Sequence, residues 1–189
     1  KLGGQLTKQI HKFFGSKEHY AGVRGFDIAD KLIEKVGKAN VRTLLNTSVY
    51  SISPDKTVSI VNEEKTEQIK PEIVVLATGA SEKSIPFTNW TLPGVMTAGA
   101  VQTMVNLHRV LPGRKFLIVG AGNVGLIVAY QLLQAGGEVK AIIEASPAVG
   151  GYYVHANKVA RVGVPILTSH TIQAVHGDEK IKSATIGEI

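Results

Sequence analysis

Three glycines, Gly120, Gly122 and Gly125, punctuate the stretch "KFLIVGAGNVGLIVAYQLLQAGGEVKAIIE" at 115–144. The spacing is GxGxxG, and it lies between an apolar strand-like run and an apolar helix-like run. Such a turn suits a pyrophosphate. The first glycine permits the tight turn, the second lets backbone approach the phosphates, and the third lets the helix pack close to the sheet. A helix opening at Asn123 and Val124 would aim unpaired N–H groups and a partial positive charge at the same point. Glu144 closes the following run. A carboxylate there can accept from a ribose 2′-hydroxyl and would repel a 2′-phosphate. Ala145, Ser146 and Pro147 bring no arginine to welcome that phosphate, so the pattern favours NAD over NADP. The plainer alternatives are a glycine turn that only packs and a solvated acid at a strand end. The full strand–turn–helix–strand context weighs against both.

The elements that must position this turn can be read from periodicity. Lys115–Val119 reads as a strand, Asn123–Ala135 as a helix and Glu138–Glu144 as a second strand. A helix over Tyr153–Val162 and a strand in "GVPILTSHTI" follow, and the chain stops amid more strand pattern. Upstream, Phe26, Ile28, Leu32, Ile33 and Val36 recur at helical spacing. The β-branched runs of 41–71 are split by "SPDK" and "NEEKTE", as short strands joined by turns. "EIVVLATGA", at 72–80, is a continuous apolar run ending in glycine, the pattern of a fully buried strand. Residues 81–94 read as a connector, and "TAGAVQTMVNLHRVL" as a helix ended by Pro112-Gly113.

Composition bounds the rest. The chain of 189 residues is 44% hydrophobic and 19% charged, ordinary for an α/β protein. Cysteine is absent, which excludes a disulfide framework, a thiolate metal site and a CxxC redox centre within this chain. The net charge of +6 is spread without a basic run, and aromatics are 6% of residues. No nucleic-acid partner is expected on that basis. Residues 116–137 carry no charge, but five glycines break the stretch where a strand–turn–helix needs breaks, so no membrane span is expected. The opening "KLGGQLTKQI" carries no signal-like apolar run, so a cytoplasmic location is expected.

Three further pieces, "KLGGQLTKQ", "EIVVLATGASEK" and "GVMTAGAVQT", flank the glycine turn in order. Together the set resembles the two-dinucleotide-domain flavoproteins, the pyridine nucleotide-disulfide oxidoreductases, with thioredoxin reductase the closest well-known pattern. The resemblance implies a Rossmann-like three-layer α/β fold and two cofactors, FAD and NAD. It places a partial FAD-binding domain at 1–92, a connector helix at 93–113 and an NAD(P)-binding domain at 114–189. Both domains would be incomplete, the first lacking its own N-terminal GxGxxG, so the chain reads as a catalytically silent fragment. By the same resemblance Gly3, Gly4 and Gln5 would lie near the flavin, Val49 near adenine, and Thr78-Gly79 close to the cofactor. The chain departs from thioredoxin reductase where that pattern has its CxxC. Ala98 and Val101 hold those positions, and neither can form the thiolate that thiol–disulfide exchange needs.

The loop "HKFFGSKEHYAGVRG" is more similar to the FAD-binding subunits of sarcosine oxidase, opine oxidase, hydrogen cyanide synthase and proline dehydrogenase complexes. That similarity implies a small amine, amino-acid or other redox substrate and a place in an oligomer or hetero-oligomer. His11, Lys12, Lys17, His19 and Arg24 could set positive charge near a substrate carboxylate, or could serve as a solvated loop or as contacts to cofactor phosphate. His108, His155, His170 and His176 show no metal-ligand spacing. Tyr152 and Tyr153 could cover the nicotinamide–ribose entrance or simply pack. A structural module holding NAD, ADP or ATP remains the alternative to hydride transfer.

Overall fold

The computed structural model describes residues 1–189, which form two compact units, Lys1–Ser81 and Glu82–Ile189. The division falls after Ser81, ahead of the connector expected from residue 93. Residues 82–97 belong with the second unit because they are bonded to it. Glu82 accepts the Gly99 N–H with both carboxylate oxygens, at 2.8 and 2.9 Å. Thr88 bridges Ala174, and Asn89 Nδ2 donates to the Val175 carbonyl at 3.0 Å.

In the first unit a 3-10 turn, Gly4–Lys8, precedes helix α1, Gly25–Lys38. The helix follows the apolar spacing of its sequence and buries Ile28 and Ala29. It starts close on the preceding chain, since a Cβ at Gly25 would lie 2.5 Å from Gln9 Cβ and 2.7 Å from the Gln9 carbonyl oxygen. Strands β1 (Ser48–Ile52), β2 (Val58–Val61) and β3 (Thr66–Ile69) form an antiparallel meander in that order. Its first turn is set by Asp55, which accepts from the Thr57 N–H at 3.2 Å and the Thr57 hydroxyl at 2.8 Å.

The buried strand expected at 72–80 does not form. The segment pairs with no strand, with Ile73, Val75 and Leu76 exposed to 76%, 80% and 72%. The reason is physical. A run of this kind becomes a strand only by hydrogen-bonding to a neighbour, and none pairs with it: β1 and β3 bond only to β2.

The second unit is a layered α/β structure. Strands β4 (Lys115–Val119), β5 (Glu138–Ile143) and β6 (Ile166–Leu167) pair in parallel, in that order. Helices α2 (Ala98–Asn106), α3 (Asn123–Gln134) and α4 (Tyr153–Ala160) supply the core with Val101, Leu126, Val128, Ala129, Leu132, Ala156 and Val159. Alternate strand residues face opposite layers. Ile142 joins the helical layer, while Ile143 joins a second cluster with Ile172 and Val175. Those two come from β7 (His170–Gly177), paired antiparallel with β8 (Ile181–Glu188). The run read as one strand, "GVPILTSHTI", is thus two strands, broken where Ser169 takes φ +55°. Helix α2 stops at Asn106, short of the run to Leu111, with Arg109 beyond it in the left-handed region. Between α2 and α3 lies a buried amide cluster. Gln131 Oε1 accepts from Asn106 Nδ2 at 3.2 Å and from Gln102 Nε2 at 3.4 Å.

Candidate functional site

The glycine turn joins β4 to α3. Its conformation follows from residues that lack a Cβ. Gly120 takes φ +103°, which a side chain rarely tolerates, and its N–H donates to the Ile143 carbonyl at 2.7 Å. Gly122 is the N-cap of α3 in extended backbone, with no side chain capping the helix. Gly125 sits one turn in, where a Cβ would collide with the Gly120 carbonyl oxygen. That contact is what draws the helix down onto the sheet. Asn123 and Val124 are the first two helical residues, and Val124 is exposed. The end of α3 therefore presents N–H groups and a positive dipole end at a place where the backbone is bare.

Glu144 lies at the end of β5, next to this turn. Its Oε2 accepts the Ala121 N–H at 2.7 Å and its Oε1 accepts the Ser146 N–H at 2.9 Å. Backbone bonds hold it from both sides: its N–H donates to Leu167 and its carbonyl accepts from His170, each at 2.9 Å. A half-buried carboxylate thus sits against the helix opening, both of its oxygens accepting backbone N–H groups. Bare backbone, a helix N-terminus and an acid at the adjacent strand end thus converge at one turn, a donor set whose chemistry fits a dinucleotide.

Ala121, Gly151 and Tyr152 also shape the site, and the first two carry no side-chain signal in the sequence. Gly151 donates its N–H to the Ala121 carbonyl at 2.9 Å, and Tyr152 donates its N–H to Asn123 Oδ1 at 2.8 Å. The doubled glycine before Tyr152 was the only cue to that approach.

The expected flavin-side residues lie on three separate segments of the first unit. Gly3 (φ +94°) and Gly4 (φ +50°) lead into the 3-10 turn that carries Gln5. Val49 is an exposed residue of β1, and Thr78-Gly79 lies in the unpaired segment with Gly79 at φ +80°. The glycines have the backbone freedom a close ligand approach needs. An open apolar pocket of about 220 Å³ in this unit is lined by Leu2, Gly3, Leu6, Ala29, Leu32, Ile33 and Val36. The loop at 10–24 closes on itself. Lys12 faces Arg24 across an antiparallel bridge, Phe13 N–H donates to Val23 at 2.9 Å, and Ser16 Oγ meets His19 Nδ1 at 2.7 Å.

His155 is buried in α4, and burial pushes its pKa below the usual imidazole range, with Lys158 adding to the effect. No group of three or more His, Asp or Glu side chains is placed to hold a metal ion. No helix is long and apolar enough to cross a membrane.

This arrangement of sheet, helices and glycine turn is a Rossmann-type α/β fold. Residues 4–188 match the family model described as pyridine nucleotide-disulphide oxidoreductase, and the chain belongs to that family. An opine oxidase subunit from Agrobacterium tumefaciens is 32% identical over 142 residues, spanning 71% of this chain and 28% of the relative. Hydrogen cyanide synthase subunit HcnB of Pseudomonas aeruginosa is 32% identical over 128 residues, 67% of this chain and 28% of that one. The chain therefore spans under a third of these curated relatives, which are named as subunits of larger enzymes. Among solved structures, thioredoxin reductase of T. acidophilum aligns over 98% of this chain and 59% of its own, with TM-score 0.67 and 16% identity. L-proline dehydrogenase of P. horikoshii aligns over 98% and 33%, with TM-score 0.61 and 21% identity. At such identities these two likenesses concern the fold.

Proposed function

We propose that this chain is the nucleotide-handling part of an FAD-dependent oxidoreductase in which the second unit binds NAD. The observation that carries the reading is the junction of a bare glycine turn with the Glu144 carboxylate, 2.7 Å from the Ala121 N–H. In it, Gly120, Gly122 and Gly125 clear space for the pyrophosphate. The N–H groups of α3 from Asn123 and Val124 hold its charge, and Glu144 accepts the ribose hydroxyls and disfavours a 2′-phosphate. Bound together, NAD and FAD supply hydride transfer between a nicotinamide, or an amine or amino-acid substrate, and a flavin. On the first unit Gly3, Gly4, Gln5, Val49, Thr78 and Gly79 are the residues assigned to the flavin side. No chemical step is assigned to them.

Ala98 and Val101 fall in the first turn of α2, and the chain has no cysteine. Electrons consequently do not leave through a disulfide of this chain. The relatives named as subunits support placement in a hetero-oligomer, with the electron acceptor or the substrate site on a partner. Anaerobic mixing of NADH with the whole flavoprotein tests the reading, with loss of the flavin's visible absorbance as the expected result. Bleaching by an amino acid but not by NADH would overturn hydride transfer from NADH. The second unit would then be a module that holds a nucleotide without reducing the flavin.

A further inference from the structure

The segment that leaves Glu144 folds back over the opening of α3 instead of leaving the site. Three backbone donors fix it: Ser146 to Glu144 Oε1 at 2.9 Å, Gly151 to the Ala121 carbonyl at 2.9 Å and Tyr152 to Asn123 Oδ1 at 2.8 Å. The approach is close. A Cβ on Gly151 would lie 2.6 Å from Leu126 Cδ1 and 3.0 Å from the Asn123 nitrogen, so only glycine lets this backbone rest on the first helical turn. The segment then delivers two aromatic rings. Tyr152 is 58% exposed and Tyr153 81% exposed, and neither belongs to the helical core cluster. Packing, one of the two roles the sequence left open for them, does not describe side chains this exposed.

Their place beside the turn says which half of a dinucleotide they would meet. The acid at the end of β5 serves the ribose that carries the 2′-hydroxyl or 2′-phosphate, which is the adenosine ribose. A segment running from that acid to the helix opening flanks adenosine and pyrophosphate, not the nicotinamide–ribose end. We propose that Tyr152 and Tyr153 form an aromatic wall for the adenosine half of the ligand, with Asn123 as the positioning residue that holds the wall through the Tyr152 N–H. An aromatic ring beside a purine gains by stacking and by removal of apolar surface from water. The inference rests on the reading of this turn as a nucleotide site.

Titration calorimetry on the whole protein with ADP and, separately, with NMN separates the two claims. Replacing both rings, Tyr152→Ala with Tyr153→Ala, weakens ADP binding by about five-fold or more and leaves NMN unchanged. The Tyr152→Phe, Tyr153→Phe pair keeps the rings and restores ADP affinity. Asn123→Ala weakens ADP in the parent but adds little further loss once both rings are gone, because it acts partly through them. Equal ADP affinity in the parent and in the alanine pair overturns the wall and leaves the nucleotide site standing. Parent protein that binds neither ADP nor NADH overturns the site, and the wall falls with it. A drop in Tm confined to the alanine pair would make the rings packing residues and also overturn the proposal.

Discussion

Residues 72–80 and 115–120 are built alike. Each is a short apolar run that ends in a glycine with positive φ, +80° at Gly79 and +103° at Gly120. One run is β4, paired with β5 from Lys115–Glu138 to Val119–Ile143, with its side chains shared between two packed layers. The other forms no strand and stays exposed. The difference is not in hydrophobicity or β-branching but in company. Residues 115–120 are followed by a helix and a strand that return to them, as a parallel pair requires. Residues 72–80 follow an antiparallel meander, neither outer strand of which pairs with them. A sequence can state that a run is fit for burial; only its neighbours make it a strand.

That comparison can be pressed experimentally, the largest effects first. Ile142→Ala empties a fully buried position of β5 and is expected to cost the second unit about 3 kcal/mol in urea denaturation. A much smaller loss would show that this sheet is packed less tightly than its burial implies. Gly125→Ala forces a methyl against the Gly120 carbonyl, for about 2 kcal/mol and a loss of NADH affinity. At Gly79 there is open space and only the positive φ to oppose a side chain, so Gly79→Ala should cost nearer 1 kcal/mol. Equal costs at the two glycines would mean that the exposed run is as confined as β4.

The pH response should also divide the units. Burial lowers the His155 pKa, so in the folded state the imidazole stays neutral while the unfolded chain takes up a proton near pH 6.5. The unfolded state then binds more protons. Stability of the second unit therefore falls as pH drops from about 6.5 toward the folded pKa, with a slope of at most about 1.4 kcal/mol per pH unit. His155→Gln should flatten that slope in denaturation curves taken across the range. A slope that persists in this variant would assign it to another group. At the ligand, Glu144→Gln keeps an acceptor for the ribose but removes the charge that disfavours a 2′-phosphate. NADH preference over NADPH, read by titration, should narrow by about 1 kcal/mol, or roughly five-fold. The smallest effect is reserved for Val75→Ala, within about 0.5 kcal/mol for an exposed side chain. A cost like that of Ile142→Ala would show that another surface covers residues 72–80 in solution.

Much of the second unit was legible because its residue types leave few choices. A glycine whose Cβ would strike a carbonyl oxygen, a charged residue closing an apolar strand and a helix of alternating Leu, Val and Ala read the same way locally and in the fold. The strap from Ser146 to Tyr152 was not legible. Its donors are all backbone N–H groups, identical in every residue, and they reach the Ala121 carbonyl and the side chains of Asn123 and Glu144. The break at Ser169 was hidden for a related reason, since a serine at φ +55° is chosen by the turn into β7 and not by its own preference. The first unit shows the converse case: α1 follows its spacing, while 72–80 has the composition of a strand and none of the partners.

The buried amides between α2 and α3 carry a last consequence. Gln131 offers one carbonyl oxygen to two donors on the facing helix, Gln102 and Asn106, which are one turn apart. A purely apolar seam would accept α2 displaced by a turn with little penalty. Here, such a slip would strand at least one buried amide without a partner, at a cost of about 1–3 kcal/mol. The amides therefore act as a vernier on the helix pair, admitting one alignment of α2 on the helix whose other end carries Asn123.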